Sequence, residues 1–176
     1  EKKDNELVVY APVRFVRTRG DTLSMPLLTV RYSAPCKDVL KVSISHFEGT
    51  VDKAPHFELN QDKKFVPEIK IDENEAVISS GALSACLKKG ENWFVQFLGD
   101  NKPLTKNEWK STAFMRETTQ PVQHLFCSGD KTYIKEELSL SVGENVYGFG
   151  ERFGAFIKNG QSIETSNQDG GTAGEQ

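Results

Sequence analysis

Residues 133–142 read YIKEELSLSV. Ile134, Glu136, Leu138, Leu140 and Val142 alternate there with Tyr133, Lys135, Glu137, Ser139 and Ser141. A period of two places the first set on one side of a pleated strand and the second on the other. The stretch therefore predicts a half-buried strand over 133–142. Glu136 interrupts an otherwise apolar face, which places it near the strand's exposed end.

The same period recurs along the chain. Val8, Tyr10 and the 13–15 segment open the series, and Arg17, Arg19, Gly20 and Asp21 form a charged turn. Between Pro26 and Ser33, Leu28, Val30 and Tyr32 oppose Leu27, Thr29 and Arg31. Val42, Ile44 and His46 share a face against Lys41, Ser43 and Ser45. Shorter candidates follow at His56–Leu59 and at Ile69 and Ile71. Leu83, Ala85 and Leu87 lead into the turn Lys89-Gly90-Glu91-Asn92, with Trp93, Val95 and Phe97 on the return strand, the pattern of a hairpin. Gly99 to Pro103 is another turn. Thr105 to Glu117 suits a helical turn and a strand alike, and the pattern does not choose between them. About eight to ten short strands separated by turn residues predict an all-β fold, a sandwich or barrel. Alternation within each strand implies largely antiparallel pairing.

Composition narrows the function. A chain of 176 residues with 37% hydrophobic and 27% charged residues suits one soluble domain able to bury a core. A net charge of −3 gives no electrostatic case for nucleic acid or for an anionic membrane surface. No apolar run approaches the roughly 18 residues of a membrane span. Cys36, Cys86 and Cys127 are unclustered, the usage of buried or unpaired thiols in a reducing compartment. With no N-x-[ST] site and no apolar leader in the first ten residues, a cytoplasmic location is the expectation.

The last thirty residues differ from the rest. Tyr147-Gly148 and Phe149-Gly150 precede Glu151-Arg152, and a polar run ends in Asp169-Gly170-Gly171. Glycines here permit positive φ and close backbone approach. The segment is poor core material and better suited to a rim or contact surface. It stops with no closing strand or helix, as in a piece of a larger protein.

Few residues carry chemistry by pattern. The G-F-G at 148–150 lacks the third glycine and the following helix of a dinucleotide loop. His46, His56 and His124 are far apart, each an ordinary strand residue by default, so no metal site and no cofactor is expected. No GxSxG elbow supports a serine triad. Asp169 stands out among the carboxylates: it lies between Asn167 and a double glycine in a polar loop. A carboxylate held this way can accept two hydroxyl hydrogen bonds from a sugar diol. A plain Asp-Gly turn is the competing reading. Tyr147, Phe149, Phe153 and Phe156 can offer apolar faces to a sugar ring or simply pack.

These residues also carry a resemblance. VYGFGERF at 146–153, FIKNGQ at 156–161 and NQDGGTAGEQ at 167–176 resemble the end of the N-terminal β-sandwich of glycoside hydrolase family 31, in its α-xylosidase branch. RTRGDTL at 17–23, VSISHFEG at 42–49, PHFEL at 55–59 and LSLSVGE at 138–144 extend it over nearly the whole chain. The resemblance implies an antiparallel, galactose-mutarotase-like sandwich over 1–176, with 159–176 a loop reaching toward a catalytic (β/α)8 barrel. It implies a retaining α-glycosidase whose catalytic aspartates are both on the barrel, leaving no catalytic residue in this chain. A barrel needs about 250 residues, more than this chain has. The substrate implied is an α-xylosyl or α-glucosyl oligosaccharide, and family analogy adds a homo-oligomer. In related α-glucosidases the aspartate of an N-x-D loop binds substrate hydroxyls. Asn167-Gln168-Asp169 matches that loop, so the role passes to Asp169. Ser166 stands where the α-xylosidase branch would carry a tryptophan, and Gln168 where glutamate is more usual. Two other readings compete: a stand-alone carbohydrate-binding sandwich, and a mutarotase-like epimerase using a histidine with a carboxylate base.

Overall fold

The computed structural model describes residues 1–23, 25–46, 57–90, 92–117, 131–150 and 154–165. Among them are eleven strands: β1 (Lys2–Lys3), β2 (Glu6–Pro12), β3 (Leu27–Ser33), β4 (Lys41–Ser45), β5 (Glu68–Ile71), β6 (Glu75–Ser80), β7 (Leu83–Lys88), β8 (Val95–Gly99), β9 (Lys102–Asn107), β10 (Thr112–Glu117) and β11 (Lys131–Glu136). The only helical turn among the described residues is a 3₁₀ turn at Arg19–Thr22. Among the described residues all pairings are antiparallel, in sheets ordered β1-β2-β3-β4, β5-β6-β7-β8-β9 and β10-β11. The chain divides into two compact units, Glu1–Ser139 and Leu140–Gln176, and all eleven strands lie in the first.

The alternation predicted at 26–33 sets the inner face of the first sheet. Leu28, Val30 and Tyr32 are buried while the residues between them are not. Leu7 pairs with Tyr32 and Val9 with Val30, extending that face across β2. The second sheet answers with Ala76 and Ile78 on β6, Ala85 and Leu87 on β7 and Val95 on β8, joined to the first in one apolar cluster. Two sheets burying their apolar faces against each other make a sandwich, each buried Val, Leu or Ile contributing about 1.5–3 kcal/mol. The all-β expectation is met. Trp93 and Phe97 pack on the cluster's margin.

Turn chemistry fixes the register. Asp100 and Asn101 both have positive φ, 48° and 62°, and Gly99 pairs with Lys102 across them. That is the two-residue turn whose twist suits a hairpin. Between β6 and β7, Gly81 has φ 60°. The charged turn read from Arg17 to Asp21 is built by one carboxylate. Asp21 Oδ2 accepts hydrogen bonds from the backbone N–H groups of Arg17 (3.0 Å) and Thr18 (2.8 Å).

Three local expectations are revised. Thr105–Glu117 is strand at both ends, with a single turn between β9 and β10 in which Ser111 N–H donates to Glu108 C=O at 3.0 Å. That one turn carried the helical signal. The strand predicted over 133–142 ends at Glu136. Beyond it, Glu137 N–H donates to Ser111 C=O and Ser139 N–H to Lys106 C=O, both at 3.0 Å, so the chain leaves β10 to cap the edge of β9. Residues 57–59 of the short candidate at His56–Leu59 are irregular, and His56 lies outside the described residues.

Candidate functional site

The glycine-aromatic segment belongs to the second unit, and its described part, 140–150 and 154–165, is an ordered loop assembly. Gly143 (φ 81°) allows the turn in which Glu144 N–H donates to Ser141 C=O at 3.1 Å. Glu144 Oε2 accepts from Ser141 N–H at 2.7 Å, closing that turn from the other side. Asn159 then clamps the two limbs. Its Oδ1 accepts from Val146 N–H at 2.8 Å, and its Nδ2 donates to Glu144 C=O at 2.9 Å. Lys158 N–H donates to Val146 C=O at 2.8 Å, and the rings of Tyr147 and Phe156 meet at 5.0 Å.

Backbone geometry explains the glycines. Gly148, Phe149 and Gly150 have φ of 102°, 70° and 80° in succession. Glycine takes that region freely, whereas phenylalanine does so at a steric cost. Tyr147, Phe149 and Phe156 remain 50%, 48% and 79% exposed, so the loop presents ring surface to its surroundings.

Asp169, the substrate-binding residue read from the sequence, lies outside the described residues, as do Asn167, Gln168 and the pair Glu151-Arg152. His56, His124 and Cys127 lie outside them too. His46 stacks on Phe114 with ring centroids 4.0 Å apart, a packing role. Among the described residues no group of three metal-ligating side chains occurs, and no helix is long and apolar enough to cross a membrane. Cys36 and Cys86 are free thiols, and partial burial raises Cys86 above the ordinary thiol range.

The densest polar constellation was not legible as one in the sequence. Asn107, at the end of β9, is 1% exposed and is the centre of a network. Trp93 Nε1–H donates to its Oδ1, and its Nδ2 donates to Glu136 Oε1 and, at 3.1 Å, to the Glu137 carbonyl. Thr112 Oγ1 lies 2.6 Å from Glu136 Oε2 and 3.1 Å from Asn107 Oδ1. Partial burial pushes the Glu136 carboxyl above the usual carboxylate range, with the Thr112 hydrogen bond pulling the other way. Burial and then the charge of Glu136 raise the Tyr32 phenol. Every polar atom of the Asn107 side chain is thus occupied, as buried polar groups require. This cluster joins strands; it holds no reacting pair of carboxylates. The only sequence signal for it was Glu136 on an apolar face.

Comparison with known proteins places these features in a family. The family described as glycosyl hydrolase 31 N-terminal galactose mutarotase-like domain matches residues 29–176. An alpha-xylosidase of Lactiplantibacillus pentosus, XylQ, is 32% identical over 178 aligned residues, covering 100% of this chain and 22% of the relative. An alpha-xylosidase of Emericella nidulans is 34% identical over 172 residues, covering 92% of this chain and 22% of its own length. The chain therefore spans about a fifth of the length of these relatives.

Proposed function

Because the chain belongs to the glycosyl hydrolase 31 N-terminal galactose mutarotase-like domain family, we propose that it is the non-catalytic sandwich of a retaining α-glycosidase. The whole enzyme releases terminal α-linked xylose, or glucose, from oligosaccharides. The observation that carries this reading is the pairing of full-length similarity with small coverage: both relatives are alpha-xylosidases, and this chain corresponds to 22% of each. Hydrolysis proceeds by double displacement between two carboxyl groups about 5 Å apart, on a barrel of the same polypeptide.

The domain's own contribution is to the rim of the active site. The clamp at Asn159 supports a loop that delivers residues 166–176 toward the barrel mouth, where Asp169 accepts hydrogen bonds from substrate hydroxyls. A carboxylate suits that task because charge-assisted hydrogen bonds are shorter and stronger than neutral ones. The exposed rings of Tyr147, Phe149 and Phe156 support a contact role for the same segment. A cytoplasmic location and a homo-oligomer complete the proposal, both by analogy with its family and composition.

The test is the stereochemistry of the native polypeptide acting on an aryl α-xyloside, followed by proton NMR. Initial release of α-xylose supports a retaining enzyme. Initial release of β-xylose, or inertness toward both α-xylosides and α-glucosides, refutes the reading.

A further inference from the structure

A cleft of about 250 Å³ opens at one corner of the first sheet, within the first unit. Its first wall comes from strands. Ser33 at the end of β3 is opposite Lys41 on β4, and the pairing of Leu7 with Tyr32 sets Glu6 of β2 on the other side of Ser33. The second wall is the turn at 61–65, which brings Asp62, Lys63 and Phe65 to the cleft. Asp62 N–H donates to the Pro35 carbonyl at 3.0 Å, fastening this turn to the connection between β3 and β4. Asp62 also shapes the turn: its Oδ1 accepts from Lys64 N–H and its carbonyl from Phe65 N–H, both at 3.0 Å. Walls held this way before a ligand arrives lower the cost of binding one.

The groups around the cleft select the kind of ligand. Among its described lining residues Glu6 and Asp62 balance Lys41 and Lys63, which favours neither an anion nor a cation. Arg31, at 3.5 Å, holds the Glu6 carboxylate in place. Among the described residues the side chains of Asn5, Ser33, Lys41, Gln61 and Lys63 have no hydrogen-bond or ion-pair partner, so donors and acceptors line the cleft uncommitted. A hydroxyl both donates and accepts, and a ligand with several of them can use ammonium, amide and carboxylate groups together. Phe65, half-buried, supplies an apolar ring for the C–H side of such a ligand. The volume is below the roughly 300–1,000 Å³ of pockets for drug-sized molecules and suits one sugar ring.

We propose that this cleft binds one neutral pyranose ring, packed on Phe65 and hydrogen-bonded through its hydroxyls to Asp62, Lys41 and the amides of Asn5 and Gln61. The preference for a neutral, hydroxyl-rich ring rests on the cleft alone. The choice of α-xylosides and α-glucosides as probes rests on the proposed function.

The test is amide hydrogen exchange of the native polypeptide, with and without methyl α-xyloside or methyl α-glucoside, read by mass spectrometry on peptides spanning 61–66. Peptides from β6 and β7 are the internal reference. Occupancy slows exchange of the 61–66 amides by 1 + [L]/Kd, about elevenfold at ten times Kd. In Phe65→Ala the slowing is lost, and in the double variant Lys41→Ala with Gln61→Ala it shrinks. The double variant decides alone if Phe65→Ala does not fold, since both of its side chains are exposed. No slowing with either glycoside, equal slowing with sorbitol, slowing with sodium phosphate in their place, or full slowing in the double variant overturns the proposal. Release of 4-nitrophenol from the aryl α-glycosides is followed in the same preparation. Turnover without slowing at 61–66 overturns the cleft and leaves the proposed function standing; slowing without turnover supports the cleft and refutes that function.

Discussion

Oδ1 of Asp38 lies where a β-carbon on Gly81 would stand, 2.1 Å from the position that carbon would take. The carboxylate occupies that space to accept a hydrogen bond from Ala82 N–H at 2.6 Å. Ser80 Oγ donates to the Cys36 carbonyl at 2.9 Å beside it. The connection between β3 and β4 in one sheet is thereby pinned to the β6-β7 hairpin of the other, closing one end of the sandwich.

Gly81→Ala is expected to destabilise the chain by about 1–3 kcal/mol, because it adds a left-handed backbone penalty to the loss of the Asp38 contact. Asp38 itself has φ 62°, so Asp38→Ala loses both the hydrogen bond and a residue type tolerant of that conformation. Urea denaturation of both variants checks this. A Gly81→Ala midpoint equal to wild type would show that the loop is not pinned.

Asn107→Ala is expected to cost about 1–3 kcal/mol, since it strands the partly buried Trp93 N–H and removes the tie to the Glu137 carbonyl. Trp93 fluorescence follows the same unfolding transition. A loss within a few tenths of a kcal/mol would mean that water replaces the amide freely.

The pH profile of stability follows from the shifted carboxyls among the described residues, which are four; Glu1, lowered by its hydrogen bonds with Lys3 and Tyr10, acts in the same direction as the two aspartates below. Glu136 is raised above its ordinary value of 4.5, so its favourable contribution is complete below that pH and lost as pH rises through the higher folded value. Asp21 and Asp72 are lowered from 3.8, each chiefly by backbone N–H donors, so their contributions hold above that pH and disappear as pH falls through their folded values. The thermal midpoint should therefore rise from pH 7 toward pH 5 and fall below about pH 4. Glu136→Gln should flatten the first limb, and Asp21→Asn with Asp72→Asn should soften the second. A midpoint falling steadily from pH 7 downward would contradict the assignment of Glu136.

How much of this was legible in the sequence depends on the range of the forces involved. The inner face of β3 was readable because burying Leu28, Val30 and Tyr32 leaves a period of two in the sequence itself. The β8-β9 turn was readable because Asp100-Asn101 is a local conformational preference. The end of β11 was not, because Glu137 and Ser139 take backbone partners at Ser111 and Lys106, choices made across the fold. Nor was the Asn107 network: a lone asparagine at a strand end looks like a surface residue until Trp93 and Glu136 arrive from elsewhere. The site at Asp169 rests on its motif alone, since it lies outside the described residues.

Asn159→Ala removes both side-chain hydrogen bonds that join Glu144 and Val146 to the 155–161 limb. Limited proteolysis should then cut more rapidly between 144 and 160, with the thermal midpoint of the sandwich little changed. Unchanged cleavage would show that the ring contact of Tyr147 with Phe156 suffices without the clamp.

Asp169→Asn in the native polypeptide should leave the fold intact and lower kcat/KM by roughly 5- to 150-fold, about 1–3 kcal/mol, because the amide loses the charge that strengthens its bonds to substrate hydroxyls. Unchanged kcat/KM would make Asp169 a turn residue, and a loss of many more decades would make it catalytic.

The most direct test of the central claim compares the native polypeptide with the isolated chain of 176 residues on 4-nitrophenyl α-xyloside and the corresponding α-glucoside. Release of 4-nitrophenol is predicted from the native polypeptide. The isolated chain, shown by circular dichroism to be folded and rich in β-structure, is predicted to release none above a matched blank. Turnover by the isolated chain would contradict the account, because it would place the reacting carboxyls within the sandwich.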